Sequence, residues 1–126
     1  MLLQLATSAA EMNMKFPPAR IEKNERLLNA DETNALSCTG MARKAIEQIA
    51  KSDDTGPAVD MSSETVSHHN EFGYVYRYRA TTAFRENGKS YSHDFTYVLW
   101  SEDCKSMGMA LIPMLELNLP RSSKGL

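Results

Sequence analysis

The dipeptide Asn87-Gly88 sits between two long runs of alternating residues, 72–86 and 89–101, and no other feature constrains the chain as strongly. A two-residue type I′ turn needs positive φ at both central positions, which asparagine and glycine tolerate at little cost. Placing Glu86 opposite Lys89 fixes the pairs outward as Phe84 with Tyr91, Thr82 with His93, Ala80 with Phe95, Tyr78 with Tyr97 and Tyr76 with Leu99. That face is bulky. The other sets Arg85, Ala83, Thr81, Arg79, Arg77 and Val75 against Ser90, Ser92, Asp94, Thr96, Val98 and Trp100, and it is mostly polar. A slip of one residue would exchange the faces wholesale. The register therefore predicts a buried first face and an exposed second one.

From Asp31 to about residue 52 the period changes. Ala35, Cys38, Met41, Ala42, Ala45, Ile46 and Ile49 recur at spacings of three and four, with Arg43, Lys44, Glu47 and Gln48 opposite, which predicts one main helix over 31–52. Asn29 or Asp31 can cap its start, and the run Ser52 to Pro57 ends it. Gly40 falls toward the Cys38 side, where a missing side chain would let helix and sheet approach closely. Before the helix, Pro17-Pro18 enforces an extended entry and leaves room for a short, weakly amphipathic helix up to Leu28.

After the helix, residues 58–67 read as a strand with Val59, Met61, Ser63 and Thr65 on one side, and Ser67 to Glu71 reads as a loop. Residues 107–112 form the last strand, stopped by Pro113. The expectation is thus an α+β layer: one helix packed on a four-stranded antiparallel meander over 58–67, 72–86, 89–101 and 107–112. In outline this resembles the cystatin-like arrangement; the likeness is architectural, rests on no motif and implies no activity.

A chain of 126 residues suits one domain. Residues 1–10 run from leucines into small residues, with Ser8 and Ala10 spaced as at a signal-peptide cut, and they read either as the remnant of a secretory signal or as a plain N-terminal segment. Residues 11–30 form an N-terminal segment, 31–119 the single α+β domain and 120–126 a frayed tail. Net charge is −2 and the Lys and Arg residues are dispersed, which excludes a phosphate-tracking basic stripe and makes nucleic acid no partner. No apolar run approaches the ~20 residues of a membrane span.

Two cysteines, Cys38 on the helix and Cys104 in the turn after the hairpin, suit a disulfide; the alternative is a pair of free thiols. A disulfide and a signal-like start point to the same periplasmic or secreted compartment, against a cytoplasmic alternative. The histidines have no zinc-type spacing: His68 and His69 are adjacent, and strand alternation turns His93 and Asp94 to opposite faces. No nucleophile elbow or phosphate loop occurs, so neither metal, cofactor nor catalysis is expected.

Two site readings remain. Val75, Arg77, Arg79, Val98 and Trp100 would make an exposed patch of the composition found at protein interfaces, unless the segment around Phe16 covers it. Alternatively, Tyr76, Tyr78, His93, Phe95 and Tyr97 would line a ligand-binding or enzymatic pocket between helix and sheet. The first is preferred: a small exported, disulfide-stapled binding protein, of inhibitor or immunity type, with a protein partner or a second copy joined along an edge strand.

Overall fold

A computed structural model describes residues 15–50 and 57–113. The signal-like residues 1–10, the expected helix end at 51–56 and the expected tail at 120–126 lie outside the described residues. The elements are β1 (Glu25–Leu27), α1 (Ala30–Ala35), α2 (Ser37–Ala50), β2 (Ala58–His69), β3 (Gly73–Glu86), β4 (Lys89–Ser101) and β5 (Gly108–Pro113). The strands form one sheet in the order β1-β2-β3-β4-β5, every neighbour antiparallel. This is an α+β fold. The central hairpin keeps the register read from the turn, from Glu86↔Lys89 out to Tyr74↔Ser101. Asn87 and Gly88 have φ of 54° and 78°, both positive as the turn requires.

Among the described residues the sheet has five strands rather than four. Residues 25–27 are extended, not helical, and pair with β2 as Glu25↔His69, Arg26↔His68 and Leu27↔Ser67. Leu28 extends the ladder by donating its N–H to the Val66 carbonyl at 2.8 Å. A weakly amphipathic segment following two prolines has little helix to lose, and an open sheet edge offers it backbone partners. For the same reason His68 and His69 belong to β2 instead of a loop. The reversal falls at Asn70, Glu71 and Phe72 and ends on Gly73, whose φ is +84° and whose missing Cβ would lie 2.5 Å from the Ser101 carbonyl oxygen.

The helix is two helices. A capping box starts α1: the Asn29 side chain accepts from Glu32 N–H at 2.8 Å, and Glu32 accepts from Asn29 N–H at 3.0 Å. Leu36 then leaves helical geometry, with φ −87° and ψ 134°. The break is held from within, because the Thr39 hydroxyl donates to the Thr33 carbonyl at 2.5 Å while Leu36 N–H donates to the same oxygen. Leu36 can then pack against the core.

Helix α2 buries Cys38, Thr39, Ala42 and Ile46. Gly40 is exposed, and a Cβ added to it would meet nothing within 4 Å, so it does not serve close packing on the sheet. Replacing Gly40 with alanine should raise stability by about 0.5–1 kcal/mol, through lower unfolded-state entropy and better helix propensity. A thermal melt followed by circular dichroism tests this, and a lowered midpoint would show a contact the geometry does not contain.

β2 carries a wide bulge. Asp60 faces Arg79 and Thr65 faces Arg77, so four residues of β2 span one rung of β3. Side chains close the bulge: Asp60 accepts from Ser62 N–H at 3.0 Å and from its hydroxyl, and Ser63 Oγ donates to the Asp60 carbonyl at 2.6 Å while accepting Arg79 N–H at 2.8 Å. The unbroken alternation expected over 58–67 is lost. Val59 and Val66 both pack against the core, and Glu64 reaches Tyr78.

Between helix and sheet lie Cys38, Ala42 and Ile46 on one side and Val66, Tyr76, Tyr78, Ala80, Phe95, Tyr97 and Leu99 on the other. The small residues of α2 rest on the tyrosine-rich sheet. Cys38 and Cys104 are joined by a disulfide with Cα atoms 4.7 Å apart, tying α2 to the turn between β4 and β5. Cys104 has φ of +61°, and its N–H is held by Ser101 Oγ at 2.8 Å.

Candidate functional site

The polar face of the hairpin is covered at its base and open from Arg79 outward. Val75, Arg77 and Val98 are buried and Trp100 is half-buried. Phe16 stacks on the Trp100 ring at 6.4 Å, Phe72 meets that ring edge-on at 6.2 Å, and Pro17 is fully buried. Gly108 completes the seat, since a Cβ there would lie 2.5 Å from the indole. Of the patch expected to be an interface, Arg79 stays exposed. It does not pair with Asp94, which accepts from the Thr81 hydroxyl at 2.8 Å.

Arg77 is 4% exposed and forks onto Glu25, whose side chain is fully buried: Nη1 to Oε1 is 2.7 Å and Nη2 to Oε2 is 2.8 Å. Its Nε donates to the Pro18 carbonyl at 2.9 Å, which fastens the covering segment to the sheet. Glu25 also accepts from the Ser67 hydroxyl at 2.5 Å and from Glu22 N–H at 2.9 Å. Burial pushes the Glu25 carboxyl up, but the bonds from Arg77, Ser67 and the Glu22 backbone, together with the Arg77 charge, hold it below the usual carboxylate range.

Beside this pair His69 accepts Glu71 N–H on Nδ1 at 2.9 Å, which leaves Nε2 as the donor to Glu22 at 2.8 Å. Glu22, Glu25 and His69 bring one potential ligand atom each to within 4.8 Å of one another, which is metal-like spacing. Their chemistry is otherwise committed. Arg77 occupies both Glu25 oxygens and would repel a cation, and the Nε2 proton points at Glu22. The cluster acts as a hydrogen-bonded lock between β1, β2 and β3.

Of the residues expected to line a pocket, Tyr76, Tyr78, Phe95 and Tyr97 come together in the core, while His93 does not join them and is exposed. Tyr78 donates to Glu64 at 2.6 Å, and Arg43 forks onto the same carboxylate at 2.8 and 3.0 Å. Tyr76 donates to Thr39 Oγ1 at 2.7 Å, since that hydroxyl's own proton goes to Thr33. Burial, then the Glu64 bond and charge, push the Tyr78 hydroxyl far up, so it remains a proton donor. Burial also raises the Glu64 carboxyl, but bonds from Arg43 and Tyr78 and the Arg43 charge bring it below the usual range. Tyr76 and Tyr78 are packed and hydrogen-bonded, and their protons are committed to Thr39 and Glu64.

The open surface lies farther out. Among the described residues the β2 ladder reaches β3 no farther than Thr81 and β5 reaches β4 no farther than Phe95, so 82–93 continue there as a two-stranded arm. On it Phe84 stacks on Tyr91 at 5.3 Å and 21°, and on His93 at 4.9 Å and 10°. The core cluster extends outward only to Ala80 and Phe95, so this part of the bulky face is not buried as its pattern predicted. Tyr91 is 44% exposed. On the same side of the sheet β5 presents Met109 and Leu111, 49% and 53% exposed, opposite Leu99 and Tyr97. Sequence alternation identified Phe84, Tyr91 and His93 as one face but not how far the helix covers it. No protein-family model, no curated protein and no solved structure matches the chain.

Proposed function

We propose that the protein is a non-catalytic binding domain of an oxidising compartment, periplasmic or secreted, that engages a protein partner through the aromatic arm and the adjoining β5 edge. The observation that carries this reading is the stack of half-buried Phe84 on exposed Tyr91 and His93, on a ribbon that no other strand flanks among the described residues. Two-stranded ribbons are marginal in water, and a partner laid on the aromatic face would stabilise this one. Tyrosine is also enriched at interface hot spots.

β5 supports the same surface. Gly108 to Pro113 carries no charged residue, so this edge lacks the charges that commonly block strand addition. A partner strand along β5 would bring its side chains beside Met109 and Leu111. The disulfide is the reason for placing the encounter in an oxidising compartment, and inhibitor or immunity-type proteins are the functional class that such a surface fits.

The test is a photo-crosslinking amino acid placed at Tyr91 in living cells, with Lys44 on α2 as an exposed control position. The expected result is one discrete adduct from position 91, absent from position 44 and lost with Phe84→Ala. Its mass would show whether the partner is another protein or a second copy of this chain. An identical pattern from both positions, or no adduct from either, would overturn the assignment.

A further inference from the structure

We propose that the cleft between residues 19–21 and the covered face of the sheet is a binding site for a small oxyanion, a carboxylate- or phosphate-bearing molecule. This cleft, about 360 Å³, is lined by Arg20, Arg77 and Arg79 with the hydroxyl residues Ser63, Thr65 and Thr96, and by no acidic residue. Arg77 is neutralised by Glu25. That leaves Arg20 and Arg79, both exposed, and neither forms an ion pair among the described residues.

Arg79 also borders a second cleft with Asp60 and Asp94, which accept from Ser62 and Thr81 and form no ion pair with it. The backbone is held at Arg79 and close to Arg20. Arg79 N–H is held by Ser63 Oγ at 2.8 Å, and Arg20 follows by two residues the Pro18 carbonyl that Arg77 holds at 2.9 Å. Arg20 and Arg79 line the cleft with Thr65 and Thr96, and guanidinium forks and hydroxyls are the donors that a carboxylate or phosphate takes up. Because the whole chain is net acidic, general charge would not draw an anion here, and the attraction is local to the cleft. The site lies apart from the aromatic arm, so it stands or falls independently of the partner surface.

The experiment is an amide ¹H–¹⁵N titration of the full disulfide-bonded chain with citrate and, separately, with pyrophosphate, each against sodium chloride at equal ionic strength. The expected result is saturable shifts centred on Ser63, Thr65, Arg79 and Thr96. Arg20→Gln and Arg79→Gln should each weaken binding about tenfold, the worth of one charge-assisted hydrogen bond, while Arg85→Gln on the arm should not. Both side chains are exposed, so the variants should keep a native spectrum. Saturation by citrate alone assigns a carboxylate ligand, by pyrophosphate alone a phosphate, and either supports the site. Shifts that fail to saturate, that chloride reproduces, or that survive both substitutions unchanged would overturn it.

Discussion

Removing the Cys38–Cys104 bond, by reductant or in a Cys38→Ala/Cys104→Ser variant, should lower the unfolding free energy by about 4 kcal/mol. The bond closes a loop with a sequence separation of 66, and chain-entropy arguments assign a loop of that length roughly this stabilisation. It is a large share of the 5–15 kcal/mol typical of a domain. The effect should fall mainly on the helix. The strands hold one another through antiparallel ladders, whereas α2 rests on the sheet through Ala42 and Ile46, the Thr39–Tyr76 bond and the Arg43–Glu64 fork. Urea melts with and without reductant give the magnitude. Near-ultraviolet circular dichroism should register loosening around Tyr76 and Tyr78. An unchanged midpoint would mean that the bond restrains nothing the remaining contacts do not already hold.

Arg77→Met should cost about 3–5 kcal/mol, because it leaves the Glu25 carboxylate buried without its counter-charge. The same change releases the Pro18 carbonyl, so the segment over Trp100 loses its fastening as well. Arg77→Met combined with Glu25→Gln should recover much of that loss, since no uncompensated buried charge then remains. Urea midpoints of the four chains measure the coupling, and additive single effects would show that the fork is not an energetic unit.

Acid should reveal the same pair. Folding holds Glu25 and Glu64 below the ordinary glutamate value of about 4.3. The native state therefore binds fewer protons than the unfolded chain near that pH. The stabilisation is complete above the unfolded value and drains as pH falls through the lower folded values. Arg77→Met should flatten the Glu25 part of this decline and leave the Glu64 part.

Some of this was legible in the residues alone. Asn87-Gly88 admits few turns, and a turn dictates register, so the whole β3–β4 ladder followed from two residues and an alternation. The period of three and four located α2 and put Cys38 on its inner side. These are local signals, carried by backbone preference and side-chain spacing within one element.

What escaped the sequence depends on partners distant along the chain. The three residues of β1 show no strand pattern of their own, and they are extended because β2 offers an edge and Arg77 a counter-charge for Glu25. The bulge at 61–64 comes from Asp60, Ser62 and Ser63 bonding to nearby backbone, which no alternation rule registers. Above all, the pattern distinguished the two faces of the hairpin but not their covers. Phe16 and Pro17 close the Trp100 end of the face that carries arginines, and the helix stops short of Phe84 and Tyr91. Alternation states which side chains share a side. Whether that side is wet depends on what else the chain brings against it, and only the tertiary structure decides that.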